Sequence, residues 1–159
     1  CSGLRKSEPM NFSQTCSISA SRQKVWDFLM DMENVSRCLP GVESMEKLEE
    51  DIYQGVYKIK FGPIALKFQG TLQFEVRNQQ QWHAEMRAEA KDRRLGGGVR
   101  ALLAVDLTEQ GPDQTAMRVS LESHVLGKVG EFGQPVMRKK TDAILQEFAR
   151  QVSGQLAGE

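Results

Sequence analysis

The sequence has few cysteines and histidines, no long apolar run and no surplus of either charge. Each shortage excludes something. The three cysteines, Cys1, Cys16 and Cys38, are odd in number and widely spaced, so they make no disulfide framework. No C-x-x-C pair or Cys/His cluster is available to hold zinc, and no metal site is expected. Reduced thiols of this kind fit a cytoplasmic protein. No stretch reaches the roughly 18 apolar residues that a membrane-spanning helix needs. Basic and acidic residues balance at 21 each. That balance argues against nucleic acid as a partner, since phosphate binding draws on a basic surplus.

Catalytic signals are equally sparse. The two histidines, His83 and His124, fall on the polar phase of predicted strands and are expected to face solvent. The His-Glu-x-x-His, Gly-x-Ser-x-Gly and phosphate-loop patterns are absent. Gly96-Gly97-Gly98 lacks the dinucleotide spacing and precedes a strand, where it marks a bulge or a close backbone approach. Glu75, Glu85, Glu89 and Glu122 alternate with lysine and arginine, as on a solvated sheet face. No catalytic residue and no cofactor is predicted.

What is present is one domain's worth of patterned chain. A length of 159 residues suits a single domain that needs no covalent staple. Residues 1–10 are polar and are expected to be a disordered N-terminal segment or a non-native remnant, with the domain spanning residues 11–156. Cys1 stands where an initiating methionine would. A removed leader, a start at Met10, or lipoprotein maturation at Cys1 would each account for it.

From Asn11 the pattern becomes regular. Phe12 to Ser19 reads as a strand, and Ser21 as the N-cap of a helix carrying Val25, Trp26, Phe28, Leu29 and Met32. A second helical turn near Asn34 to Cys38 stops at Pro40-Gly41. The period then changes from 3.6 to 2. Strands are predicted over Val42 to Leu48 and Ile52 to Phe61, and Gly62-Pro63 breaks the second. Ile64, Leu66, Phe68, Gly70, Leu72, Phe74 and Val76 then alternate with mostly polar residues, giving one apolar and one wet face. Trp82, Ala84, Met86, Ala88 and Ala90 repeat the pattern, as do Val99 to Leu107 and Met117 to Val125. A long amphipathic helix follows from about Gly133 to Gly154, its apolar side carrying Val136, Met137, Ile144, Leu145, Phe148 and Val152.

The predicted fold is therefore α+β. It is a helix-grip arrangement, in which a curved antiparallel sheet wraps around a long C-terminal helix. The inner face is almost wholly apolar. Bulky Phe61, Phe68, Phe74, Trp82, Met86, Leu103, Met117 and Leu121 stand among small Gly70, Ala84, Ala88 and Ala101. That mixture admits either a filled core or a cavity between sheet and helix. Residues expected to line such a cavity are Phe61, Phe68, Phe74, Trp82, Met86, Leu103, Met117 and Ile144. Their chemistry would suit a lipophilic small molecule, with any polar head near the Pro40-Gly41 or Gly96–Gly98 loops.

Three segments carry a resemblance. Cys38-Leu39-Pro40-Gly41-Val42-Glu43-Ser44 resembles a C-[IL]-P-G-x-[EQ] segment of the carbon monoxide dehydrogenase G-subunit family, which belongs to the START-like (SRPBCC, Bet v 1-like) superfamily. Tyr57 to Gly70 is similar to that family's V-x-V-G-P-[VI]-x-x-x-[FY]-x-G segment, and Gly127 to Gly133, leading into the long helix, is also similar. The resemblance implies an accessory protein of a molybdenum hydroxylase complex. It would help place the oxidoreductase at the inner face of the membrane or carry a lipophilic partner such as a lipid or quinone. The segment Arg93 to Arg100, with three arginines, departs from the small residues usual there. Two other functions remain open on the same scaffold. One is an enzyme of the cyclase or hydratase kind, which would need an inward acid, base or tyrosine, the tyrosines being Tyr53 and Tyr57. The other is a protein-interaction module with a filled cleft.

Overall fold

The computed structural model describes residues 9–94 and 96–157. Cys1 and the rest of the polar N-terminal segment up to residue 8 lie outside the described residues. The chain runs β1 (Pro9–Ile18), α1 (Arg22–Leu29), α2 (Met32–Cys38), β2 (Val42–Glu49), β3 (Ile52–Phe61), β4 (Ile64–Asn78), β5 (His83–Lys91), β6 (Gly97–Gly111), β7 (Gln114–Gly127) and α3 (Gln134–Ala157). Short 3-10 turns, Gln79–Gln81 and Lys128–Phe132, precede β5 and α3. The strands form one antiparallel sheet in the order β1-β7-β6-β5-β4-β3-β2. Strand β1 starts before the expected boundary at Asn11: Met10 pairs with Ser123 and is buried.

Local chemistry sets the breaks. Ser21 caps α1 by accepting from the Lys24 amide at 3.3 Å. The expected continuation of that helix through Met32 does not occur. Asp31 instead caps a new helix by accepting from the Glu33 amide at 3.0 Å, and Met32 opens α2. Pro135 falls in the first turn of α3, where its missing N–H costs nothing.

Curvature of the sheet has a definite cause. In cross-strand register Gly55 pairs with Gly70, and Gly70 with Ala90. A Cβ on Gly70 would stand 1.9 Å from the Glu89 carbonyl oxygen and 2.7 Å from the Ala90 Cβ. One on Gly55 would stand 2.6 Å from the Ser44 carbonyl oxygen. The strands therefore fold toward each other along this row, as only residues with little or no side chain permit. A bulge between Phe74 and Val76 bends β4 again and shifts its phase. This ends the regular alternation of the strand: Val76, expected inside, is exposed, as is Ile64 at the β3–β4 turn.

Packing divides instead of filling the concave face. One cluster joins α1 and the C-terminal half of α3 to β1 and β5–β7, through Ile18, Val25, Trp26, Met117, Phe148 and Val152. A second holds Met32 of α2 against Tyr53 and Phe74. A third, Leu66 with Val125 and Val129, closes the end where α3 begins. Helix α3 is tied to the β1 edge, where Gln14 donates to Asp142 at 2.7 Å and the Ser19 amide to Ser153 at 3.0 Å. Its buried residues, Phe148, Ala149, Val152 and Leu156, all lie in its C-terminal half. Val136, expected on the packed side, is exposed.

One structural group has no signal in the sequence pattern. Asp92, after β5, is buried and accepts from the Lys67 amide at 2.7 Å, joining the β5–β6 loop to β4. The loop closes on itself, with the Asp92 amide donating to the Gly97 carbonyl at 3.0 Å.

Phe148→Ala removes a nearly fully buried ring from the first cluster. We expect it to cost about 3–5 kcal/mol in urea unfolding. A loss below about 0.5 kcal/mol would place α3 in another register.

Candidate functional site

Between the three clusters lies a cavity of about 450 Å³. This is within the range of roughly 300–1,000 Å³ typical of small-molecule sites. Its floor is the concave sheet, and its sides include α2 and the stretch of α3 from Met137 to Phe148. Small residues open it: Ala88 pairs with Leu72 and Ala101, and Ala90 with Gly70. At one end Phe61 stacks on Phe132, ring centres 4.5 Å apart. At roughly 24 cal/mol per Å³, filling a 450 Å³ apolar void would add at most on the order of 10 kcal/mol of stability. That is comparable with the whole stability of an ordinary domain, so packing alone gives no reason for the space.

Six of the expected lining residues do line it: Phe61, Phe68, Phe74, Met86, Leu103 and Met117. Two do not. Trp82 adopts a left-handed backbone (φ 54°) that ends the 3-10 turn before β5 begins. There its ring meets Trp26 edge-on at 5.9 Å and carries the Arg22 guanidinium at 4.3 Å. It closes the core outside the cavity, while Trp26 is part of the wall. Ile144 is half-buried but lies off the wall, which α3 lines with Met137, Lys140, Thr141, Leu145 and Phe148. The helix turns that side inward because its C-terminal half is already committed to the first cluster.

A compositional signal was there to be found. All 7 methionines of the chain, Met10, Met30, Met32, Met45, Met86, Met117 and Met137, line the cavity. They come from β1, α2, β2, β5, β7 and α3 and from the α1–α2 junction, so no local pattern links them. Methionine is unbranched and polarisable, and a wall rich in it adapts to differently shaped apolar contents.

Polar groups in the wall are few, and several are spent within the protein. The Ser36 hydroxyl donates to the Glu33 carbonyl at 2.8 Å and that of Thr141 to the Met137 carbonyl at 2.8 Å. Ser123 donates to the Met10 carbonyl at 3.4 Å. Glu89 joins the wall beside Gly70, where its backbone carbonyl crowds the glycine. Tyr57 is different. Its ring ends beside Gly41, where a Cβ would stand 3.4 Å from the carbon bearing the hydroxyl. Among the described residues that hydroxyl has no hydrogen-bond partner, and burial pushes its pKa up to about 12. Lys140 of α3 is the basic side chain in the wall.

The remaining reactive groups lie elsewhere. His83 sits on the convex face, its Nδ1 2.6 Å from Asp106 and its Nε2 2.7 Å from Glu85. Hydrogen bonds to Glu85 and then Asp106 hold its pKa above the ordinary histidine value. His83 and His124 both stay outside the cavity wall. Cys16 and Cys38 are buried and free, and burial raises both thiols. No group of three or more metal-ligating side chains occurs among the described residues.

A bent antiparallel sheet gripping a C-terminal helix, with an apolar chamber between them, defines a START-like helix-grip protein. The family model for the carbon monoxide dehydrogenase G-subunit (CoxG) matches residues 15–157, and the chain belongs to that family. Among solved structures it is similar to a conserved protein from Geobacillus kaustophilus (TM-score 0.84, 21% identity, covering 94% of this chain and 96% of that one). It is also similar to a START superfamily protein from Mycobacterium smegmatis (TM-score 0.66, 16% identity, covering 93% and 97%). A third is the Zhui aromatase/cyclase from Streptomyces sp. R1128 (TM-score 0.68, 12% identity, covering 94% of each). At these identities the likeness is one of fold. No curated protein matches the chain significantly. No helix among the described residues is long and apolar enough to cross a membrane.

The Tyr57 hydroxyl supplies a pH test. Its native pKa of about 12 exceeds the value of about 10 in an unfolded chain. Between these values the native state keeps a proton that the unfolded state has lost, so stability falls as pH rises above about 10. Tyr57→Phe should flatten that part of the stability curve, followed by urea unfolding at several alkaline pH values. An unchanged slope would mean that Tyr57 is solvated.

Proposed function

We propose that the protein binds an elongated lipophilic molecule, such as a lipid tail or isoprenoid quinone, in this cavity without transforming it. In this reading it serves as an accessory factor for a molybdenum hydroxylase of the carbon monoxide dehydrogenase type, in the cytoplasm or at the inner face of the membrane. The observation that carries the binding role is the apolar, methionine-lined wall. A sugar-like or charged ligand would lose its hydration there without replacement, at several kcal/mol per unpaired group. An apolar chain would gain contacts throughout and lose little. Membership of the CoxG family supports the accessory role.

Polarity in the site is placed for recognition. The Tyr57 hydroxyl beside Gly41, or the Lys140 ammonium of α3, is available to a carbonyl or carboxylate head. A START-fold enzyme is the competing reading, and Tyr53 and Tyr57, both in the wall, are the residues it would use. Binding is favoured because, among the described residues, no histidine stands in the wall, and the wall's one acidic residue, Glu89, meets Gly70 with its backbone carbonyl.

Titration with a short-tailed quinone and with a fatty acid, followed by Trp26 fluorescence, tests this reading. We expect at least one to bind in the micromolar range. Ala101→Phe, which places a ring in the chamber, should weaken it roughly tenfold or more, about 1.4 kcal/mol, with the fold retained. Tyr57→Phe should weaken a ligand with a polar head severalfold, in keeping with one net hydrogen bond of about 1 kcal/mol. Tight binding of a polar metabolite, with neither apolar ligand bound below millimolar concentration, would overturn the proposal.

A further inference from the structure

Helix α3 presents one side to the chamber. Its wall residues Met137, Lys140, Thr141, Leu145 and Phe148 follow the spacing of a single helical face. Met137, Leu145 and Phe148 suit an apolar wall, and Lys140 does not. Its neighbours in sequence, Arg138 and Lys139, are exposed, as lysine and arginine usually are. Lys140 is half-buried on the inner stripe, and among the described residues it has no ion-pair partner.

Packing gives no reason for a cation at this position. A lysine there loses side-chain freedom and part of its hydration, and a leucine or methionine would cover the same wall. A half-buried lysine lays its stem on apolar surface and keeps its head toward water. That puts the ammonium at the margin of the chamber, where the head of an amphiphile would lie with its tail inside.

The other polar groups of the wall narrow the choice. The hydroxyls of Ser36, Ser123 and Thr141 each donate to a carbonyl of the protein. Tyr57 offers a neutral donor and Lys140 a charged one. The surroundings carry the same sign as Lys140. The cluster that joins Ile59 and Phe61 to Met137 brings β3 alongside the start of α3, and Lys58 and Lys60 of that strand are exposed. Asp142, two places further along α3, is turned to β1, where it accepts from Gln14 at 2.7 Å. Glu43, at the start of β2, pairs with Lys67 at 3.6 Å.

We propose that the ligand of the chamber is an acidic amphiphile, a carboxylic acid on an apolar tail, and that Lys140 selects it by pairing with the carboxylate. This selection rests on the cavity reading above and narrows it to one class of head. A carboxylate forms a charge-assisted hydrogen bond with the ammonium and relieves the cost of leaving that charge unpaired beside an apolar wall. An alcohol of the same tail leaves the charge unmatched, and an ammonium of the same tail meets repulsion.

Titration of the full chain with dodecanoate, dodecanol and dodecylammonium, followed by Trp26 fluorescence, tests this. We expect dodecanoate to bind roughly tenfold tighter than dodecanol, as a hydrogen bond between charged groups implies, and dodecylammonium to bind weakest. Lys140→Gln should bring dodecanoate down to the level of dodecanol and leave dodecanol unchanged. Lys140→Arg should keep the preference, and Lys140→Glu should reverse it in favour of dodecylammonium. Lys139→Gln removes the same charge from the next position, outside the wall, and should bind all of these ligands as the parent does.

Equal affinity for dodecanoate and dodecanol would overturn the proposal. So would equal losses in Lys140→Gln and Lys139→Gln, which would mark a diffuse field and not a pairing. Loss of the preference in Tyr57→Phe, with Lys140→Gln unchanged, would overturn it by giving the head to Tyr57. Ala101→Phe separates the two readings. If it weakens dodecanol and dodecanoate alike while Lys140→Gln changes neither, the chamber binds apolar tails without selecting an acid. If none of the ligands binds, the cavity reading falls and the selection falls with it.

Discussion

The contact on which the rest depends is the approach of β5 to Gly70. The Glu89 carbonyl occupies the place a Cβ would take, 1.9 Å away. With Gly55 on one side and Ala90 on the other, this makes a row across three strands where the sheet can fold sharply. A flatter sheet would lay its apolar face against α3 and exclude the space between. A bent one meets the helix along the β1 edge and stands away from it over β3 to β5. The three separate hydrophobic clusters follow from that geometry.

A divided core has consequences for α3. Its C-terminal half holds the fold together through Phe148 and Val152, while its N-terminal half roofs the chamber with Met137, Lys140 and Thr141. One helix thus serves stability at one end and the cavity at the other. The seven methionines belong to the same logic. A chamber without rigid contents is best lined by side chains that change shape at little cost.

Electrostatics shows how an average can mislead. Equal numbers of acids and bases describe the chain but not its surface. Antiparallel strands bring alternate turns to opposite ends. Here the acidic turns, Glu49-Glu50-Asp51 and the one holding Asp113, fall together, and the segments with Lys60, Arg93, Arg94 and Lys139 fall opposite. Arg93 and Arg94 are exposed on the β5–β6 loop at that second end.

Periodicity alone determined the order of elements. The alternation through Leu66 and Phe74, the stop at Pro40-Gly41, the break at Gly62-Pro63 and the long apolar stripe ending at Val152 are local consequences of backbone geometry. They carried the helix-grip fold, and with it six of the eight residues expected around the chamber. What the tertiary structure decided was every matter of phase and distance. The bulge after Phe74 turned Val76 outward, a left-handed backbone took Trp82 out of the wall, and the anchoring of α3 on β1 kept Ile144 from it. The buried Asp92 and the isolated Tyr57 hydroxyl likewise depend on partners remote in sequence, or on their absence. Whether the small residues Gly70, Ala88 and Ala101 sat in a filled core or beside a void was likewise undecidable from the chain. A void is set by the distance between non-local elements, and no periodicity records a distance.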